Sequence, residues 1–246
     1  IADRREAWDI AVIGGGATGV GISVDAASRG YSVVLLEQHD FGKGTSSRST
    51  KLVHGGVRYL QEGNISLVME ALKERGLLRQ NAPHLVSDLA FVVPNYEWWE
   101  APFYGMGLKV YNLLAGKYGF GASEILSRDE TLARLPTIKT EGLRGGVVYY
   151  DGQFDDARLL VNLVTTAAEQ GAVLLNYAPV TGVTRDREGF VDGVVARDLE
   201  TGEELGAGAR LVMNCTGPFT DGVRRLADPA PAPLIAPSQG AHLVFD

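Results

Sequence analysis

Between Thr45 and Leu60 the chain reads TSSRSTKLVHGGVRYL, a run rich in hydroxyls that also holds a lysine, a histidine, two adjacent glycines and two arginines. A segment that only had to pack would carry more aliphatic anchors. Hydroxyls and N–H groups hold phosphate oxygens, and a guanidinium holds a small anion through a bidentate fork. An imidazole exchanges a proton near neutral pH. Paired glycines let the main chain lie close under a flat ring. The segment is therefore read as the floor of an active site. Gly55 and Gly56 lie under a planar ligand in this reading, with Thr45, Ser46, Ser47, Lys51 and Leu52 among its contacts. The plain alternatives are a glycine turn, a solvated loop and a surface charge. Arg58, with Tyr59 beside it, is the anion-binding candidate; its alternative is a helix arginine paired with Glu62 at i+4. His54 is a candidate general base. His242, in AHLV, competes for that role against the plain reading of a satisfied strand histidine. His39 and His84 are read as structural.

These residues follow a unit that could position them. Trp8–Ile13 (WDIAVI) is a short apolar run, as expected of a strand buried on both faces of a parallel sheet. GGGATG follows, with Gly14, Gly16 and Gly19 in G-x-G-x-x-G spacing: a tight turn, a close approach to a pyrophosphate, and close helix–strand packing. The next helix begins at Ala17 and Thr18 and aims its free N–H groups at phosphates. Gly30 suits a helix C-terminus. Ser32–Leu36 is a second strand, and Glu37, followed by Gln38, stands where a ribose diol is held. A carboxylate there repels a 2′-phosphate and argues against an NADP-type ligand. The order of elements points to a dinucleotide but does not separate NAD from FAD.

Composition narrows the class. A chain of 246 residues has ample capacity for a core. The net charge of −7, without a basic stripe, argues against a nucleic-acid partner. The lone Cys215 excludes a disulfide framework and suits a reducing cytoplasm; in LVMNC it reads as a small buried hydrophobe. No metal site is expected. There is no signal-peptide pattern and no apolar span of membrane length. Ser66–Asn81 has amphipathic spacing and ends at Pro83, and Leu89–Val93 reads as a strand. ILSRDETLARL reads as a short capped helix and Gly145–Tyr150 as a further strand. Asp155 or Asp156 caps the helix after it. Val180–Thr184, Val191–Asp198 and the TGEE turn form a meander, and Leu211–Cys215 returns to the parallel sheet.

The blocks IGGGATGVG, LLEQHDF, TSSRSTKLVHGGVRYL, NAPHL, YYDGQFDDARL, NCTGPFTD and APSQGAHLV run from end to end of the chain. Together they resemble the FAD-dependent glycerol-3-phosphate dehydrogenases, within the glycine-oxidase-like group of flavoproteins. The resemblance implies an α/β fold: a Rossmann-type FAD-binding domain with a parallel sheet and β-meander, interleaved with a mixed-sheet substrate domain. The expected parts are 1–89 and 151–228 for the FAD-binding domain, 90–150 for a substrate-domain insertion, and 229–246 for a proline-rich crossing segment. Family members are longer, so the chain is expected to be their N-terminal part.

The resemblance further implies oxidation of sn-glycerol 3-phosphate to dihydroxyacetone phosphate, with hydride passing to flavin N5 and electrons to quinone. Arg58 would grip the phosphate, helped by basic groups beyond Asp246, and His54 or His242 would take the hydroxyl proton. Thr216 and Gly217 would bring backbone to the flavin, and Val180 would meet adenine through its backbone. A homodimer is expected, as is peripheral contact with the inner face of the cytoplasmic membrane. Residues 98–120 have the aromatic, leucine and lysine content of an interfacial helix for that contact. The rival readings are a glycerol-3-phosphate oxidase using dioxygen, an amine or 2-hydroxy-acid oxidoreductase, and a non-catalytic nucleotide-binding fragment.

Overall fold

Short apolar runs punctuated by glycine become parallel strands in the first of two units. The computed structural model describes residues 1, 4, 6–56, 63–241 and 243. Its first unit comprises residues 1–50 and 156–246, its second residues 51–155. The chain runs through β1 (Trp8–Ile13), α1 (Ala17–Ser28) and β2 (Val33–Leu36). The second unit holds β3 (Leu52–Val53), α2 (Ile65–Asn81), β4 (Val86–Asn95), α3 (Glu100–Ala115), β5 (Glu124–Ser127), α4 (Arg128–Arg134) and β6 (Gly145–Phe154). The chain then returns through α5 (Asp156–Glu169), β7 (Val173–Leu175), β8 (Val180–Arg185), β9 (Val191–Arg197), β10 (Glu204–Asn214) and α6 (Thr220–Ala227).

In the first unit the strand order is β7-β2-β1-β10-β9-β8. The first four pair in parallel, and β8, β9 and β10 form the expected antiparallel meander. β10 serves both halves: Glu204–Gly208 run antiparallel to β9, and Ala209–Asn214 run parallel to β1. Alternation along β1 sorts the core onto two faces. Val12 joins Val20, Val33, Leu35 and Leu160 under α1 and α5. Ala11 and Ile13 join Val34, Leu36, Ala178 and Val194 on the other face. Each fully buried aliphatic side chain of this kind contributes roughly 1.5–3 kcal/mol.

In the second unit β4 pairs with β6 along its whole length, while β3 and β5 pair with different stretches of β6. All described pairings here are antiparallel; the sheet that mixes directions is that of the first unit. Phe91 and Tyr149 face each other across β4 and β6 and stack at 5.2 Å. The core of this unit gathers Val68 and Leu72 of α2 with Tyr111 and Ala115 of α3. α2 ends at Asn81 because the residue before Pro83 is driven out of helical geometry. Ser127 caps α4 with a full capping box: it accepts the Glu130 N–H at 3.3 Å, and Glu130 accepts the Ser127 N–H at 2.8 Å.

The boundaries differ from those expected. The first crossing lies between Thr50 and Lys51 rather than near residue 90, because β3, α2 and β4 all belong with β6. The return lies between Asp155 and Asp156 rather than at 151, because β6 continues to Phe154. Asp156 opens α5 and accepts both the N–H and the hydroxyl of Ser49, so it ties the helix start to residues 45–50. Residues 229–241 have no regular structure, and α6 holds them through Asp221, which accepts the N–H groups of Leu234 and Ile235. Those bonds, with Arg224, hold the Asp221 carboxyl below its ordinary range.

Candidate functional site

The first part of the site is a cradle at the carboxyl end of β1. Gly14 is forced by its surroundings: its φ is +108°, and a Cβ would lie 2.7 Å from the Cys215 carbonyl oxygen. A Cβ on Gly19 would overlap the Gly14 carbonyl oxygen, so α1 can lie this close to the turn only with glycine there. α1 therefore starts directly behind the turn, with the N–H groups of Ala17, Thr18 and Gly19 lacking intrahelical acceptors. Ser46 comes back from a single turn of 3-10 helix, Thr45–Ser47, and its Oγ accepts the Ala17 N–H at 2.9 Å. Ala17 and Thr18 are exposed, and Gly16 is half-buried.

Glu37 sits at the end of β2 beside this turn. Its Oε2 accepts the Gly15 N–H at 2.7 Å and its Oε1 the His39 N–H at 2.8 Å. Gly42 N–H closes the loop onto the Gly15 carbonyl at 2.9 Å. The carboxylate is thus aimed by two backbone N–H groups, those of Gly15 and His39, with lone pairs left for a ligand's hydroxyls. Gln38 and His39 are exposed. Residues 175–178 run alongside: Glu37 N–H donates to Leu175 O at 2.9 Å, and Ala178 N–H to Glu37 O at 2.8 Å. Val180, two residues on, is half-buried and packs against the core.

β10 brings Cys215, Thr216 and Gly217 to the other side of the turn. Cys215 N–H donates to Ile13 O at 2.8 Å, and Thr216 hydroxyl donates to Asn214 at 2.7 Å. Burial pushes the Cys215 thiol up, consistent with its reading as a packed hydrophobe. The first unit therefore gathers Gly14, Gly16, Ala17, Thr18, Gly19, Glu37, Gln38, Thr45, Ser46, Ser47, Thr216 and Gly217 about one turn.

Lys51, Leu52, His54, Gly55 and Gly56 fall in the second unit. Lys51 is exposed and holds φ at +59°, an uncommon conformation for a non-glycine residue. His54 is exposed, while Gly55 and Gly56 are buried. An open cavity of about 420 Å³ is lined by His54 together with Glu74, Arg75 and Asn81. Gly55 has a reason for being glycine that differs from the one expected: a Cβ there would overlap the Tyr111 hydroxyl and Leu72. Its N–H donates to Asp151 at 3.2 Å. Asp151 in turn pairs with Arg75 at 2.5 Å and accepts the Tyr111 hydroxyl at 3.2 Å. Arg58, Tyr59 and His242 lie outside the described residues.

Sequence reasoning missed the cluster of Arg75, Asp151 and Tyr111. A signal was present. Aspartate is disfavoured inside a strand, and Asp151 interrupts VVYYDGQF; Arg75 falls on the same helix face as Val68 and Leu72.

Comparison with known proteins follows the same lines. Residues 9–246 match the family described as FAD dependent oxidoreductase, DAO. A probable mitochondrial glycerol-3-phosphate dehydrogenase of Caenorhabditis elegans is 44% identical over 250 residues, covering 98% of this chain and 35% of the relative. A mitochondrial glycerol-3-phosphate dehydrogenase of Arabidopsis thaliana is 46% identical over 256 residues, covering 99% of this chain and 41% of the relative. The chain thus spans well under half the length of these curated relatives. Among solved structures, the glycerol-3-phosphate dehydrogenase of Bacillus halodurans in complex with FAD superposes with a TM-score of 0.70 at 35% identity. That match covers 91% of this chain and 37% of the other.

Proposed function

The chain belongs to the FAD dependent oxidoreductase family, and from that premise we propose that it is the FAD-binding part of a glycerol-3-phosphate dehydrogenase. The observation that carries the reading is the cradle at Gly14–Gly19, closed on one side by Glu37 and on the other by Thr216, in a chain 44% identical to a named dehydrogenase. The residues fit FAD. Glycine at positions 14 and 19 lets α1 begin directly behind the turn, and the start of α1 offers backbone donors to a pyrophosphate. Glu37 offers acceptors to a ribose diol. Ser46 gives the Ala17 N–H a partner that a phosphate oxygen can replace.

When bound, FAD would supply the acceptor for a hydride from C2 of the alcohol, with quinone as the proposed final electron acceptor. The chain's residues bind, orient and move one proton. Arg58, next to Tyr59 in the sequence, is assigned the phosphate, for which a guanidinium is suited, and His54 or His242 the proton of the C2 hydroxyl. Gly55 and Gly56 carry the main chain between the proton acceptor and the phosphate anchor. In the full-length enzyme, Arg58→Ala should weaken apparent glycerol 3-phosphate affinity by roughly 10- to 100-fold, the size of a charge-assisted hydrogen-bond pair. Anaerobic bleaching of the flavin absorbance by glycerol 3-phosphate reads this directly, and unchanged affinity would remove the phosphate-anchor assignment. Repeating the turnover with a soluble quinone against dioxygen separates dehydrogenase from oxidase.

A quinone acceptor calls for a membrane contact, and α3 supports one. Trp99, Phe103, Met106, Val110 and Leu113 recur every three or four residues along one side of it, and all are exposed. Leu108, Tyr111 and Ala115, on the other side, are buried. Among the described residues no helix is long and apolar enough to cross a membrane, so the contact is read as interfacial. Met106→Asp together with Leu113→Asp should cut flotation with phospholipid vesicles about tenfold while leaving turnover with a soluble acceptor intact. Equal flotation of both proteins would move the contact elsewhere.

A further inference from the structure

The buried ion pair of the second unit has no role in the chemistry above. Arg75 and Asp151 are both almost wholly inaccessible, at 2% and 3% exposed, and Arg75 Nη1 lies 2.5 Å from Asp151 Oδ1. The guanidinium also lies over the Phe120 ring at 4.2 Å, while its Nε has no hydrogen-bond partner among the described residues. A pair buried this deeply contributes little net stability relative to well-packed apolar side chains. What the pair does uniquely is present an oriented carboxylate to the main chain.

That carboxylate meets the segment the function depends on. After Val53, which still pairs with Gly152 of β6, the chain leaves the sheet. Gly55 N–H then finds its acceptor on the Asp151 side chain instead of on a strand carbonyl. Tyr111 donates to the other Asp151 oxygen at 3.2 Å and presses its hydroxyl against the Gly55 Cα, where Leu72 also packs. Burial, then the Asp151 charge, raises the Tyr111 phenol above its ordinary range, so it remains a neutral donor. Gly55 is thus held at its nitrogen and at its α-carbon, with exposed His54 on one side and buried Gly56, at φ +71°, on the other.

We propose that Arg75, Asp151 and Tyr111 are positioning residues that fix the main chain at His54–Gly56, the strip that carries the candidate proton acceptor His54. The role of the strip rests on the proposed function; the anchoring of the strip by the cluster does not. Asp151 holds the Gly55 N–H, Arg75 balances the buried charge, and Tyr111 fills the space a side chain at Gly55 would take.

Two double variants of the full-length enzyme isolate the anchor. R75M/D151N removes both charges and retains an amide oxygen for Gly55; R75M/D151L removes the acceptor as well. In the FAD-free protein, hydrogen exchange of a peptide covering residues 52–56 should be near wild type in the first and roughly three- to tenfold faster in the second, as for loss of one net hydrogen bond. With FAD, kcat should fall on the order of a hundredfold in the second alone, the loss that follows misplacement of about 1 Å. The flavin absorption maximum should shift with it, while KM changes little. Equal exchange in two folded double variants overturns the proposal. Should either fail to fold, Y111F decides: it keeps the ring and removes one donor to Asp151, and unchanged exchange at 52–56 overturns the proposal equally. H54A tests the other premise. If it alters neither kcat nor the flavin spectrum, the site reading of the strip fails, whatever the exchange experiment shows.

Discussion

Gly19→Ala should leave a protein that neither holds FAD nor keeps its nucleotide unit at wild-type stability. The added methyl would coincide with the Gly14 carbonyl oxygen and press on Val12, and neither can yield. Gly14 is itself fixed by its positive φ and by the Cys215 carbonyl, and Val12 is fully buried between β2 and β10. The only remaining adjustment is for α1 to move off the sheet, which opens the packing of Val20 against Val33 and Leu35. Overpacking of this kind costs about 1–3 kcal/mol and more where backbone is the obstacle. The ratio of flavin to protein absorbance after purification and the thermal midpoint measure the two effects. A yellow, stoichiometric protein melting with wild type would mean that α1 does not depend on this contact.

Asp151→Asn as a single change should be the most damaging polar substitution in the second unit. It strips the balancing charge from a guanidinium that is 2% exposed, whose Nε already has no partner among the described residues. Breaking a buried pair from one side costs about 3–5 kcal/mol, because the remaining charge cannot reach water. For a protein of this size that lowers the thermal midpoint by on the order of 10 °C. Restoring balance by adding Arg75→Met should recover most of the loss, so a thermodynamic cycle over the four proteins reads the coupling directly. A single variant within a few tenths of a kcal/mol of wild type would show that solvent reaches this pair.

Local chemistry was legible in the sequence, and long-range chemistry was not. WDIAVI, the glycine spacing and Glu37 follow one another along the chain, and each carries its meaning within a few residues. They emerge as β1, the cradle and the end of β2. Ser127 and Glu130 lie three residues apart, and their cap was equally plain. By contrast, Ser46 reaches Ala17 across 29 residues, and Arg75 reaches Asp151 across 76. Neither partner announces the other. The first crossing between units was misplaced for a related reason: β3 has two residues, too few to show a strand's alternation, and only its pairing with β6 reveals where it belongs. Gly55 shows the subtler limit. In the sequence it suggests a main chain lying close under a flat ring, while the packing of Tyr111 and Leu72 against it shows only in the fold.

The double duty of β10 governs the order in which the molecule can assemble. β1, at the centre of its sheet, has β2 close behind it in the chain, but its other neighbour arrives at Ala209, and Arg210 pairs with Asp9 across 201 residues. The second unit closes over a far shorter stretch, with Lys51 O accepting the Phe154 N–H at 3.0 Å. Short loops close before long ones. Residues 51–155 should therefore acquire exchange protection early during synthesis or refolding, and β1 late. Pulse-labelled refolding reads that sequence, and early protection of β1 would contradict it. A nascent chain released before β10 would carry the glycine turn without the strand that walls one side of it.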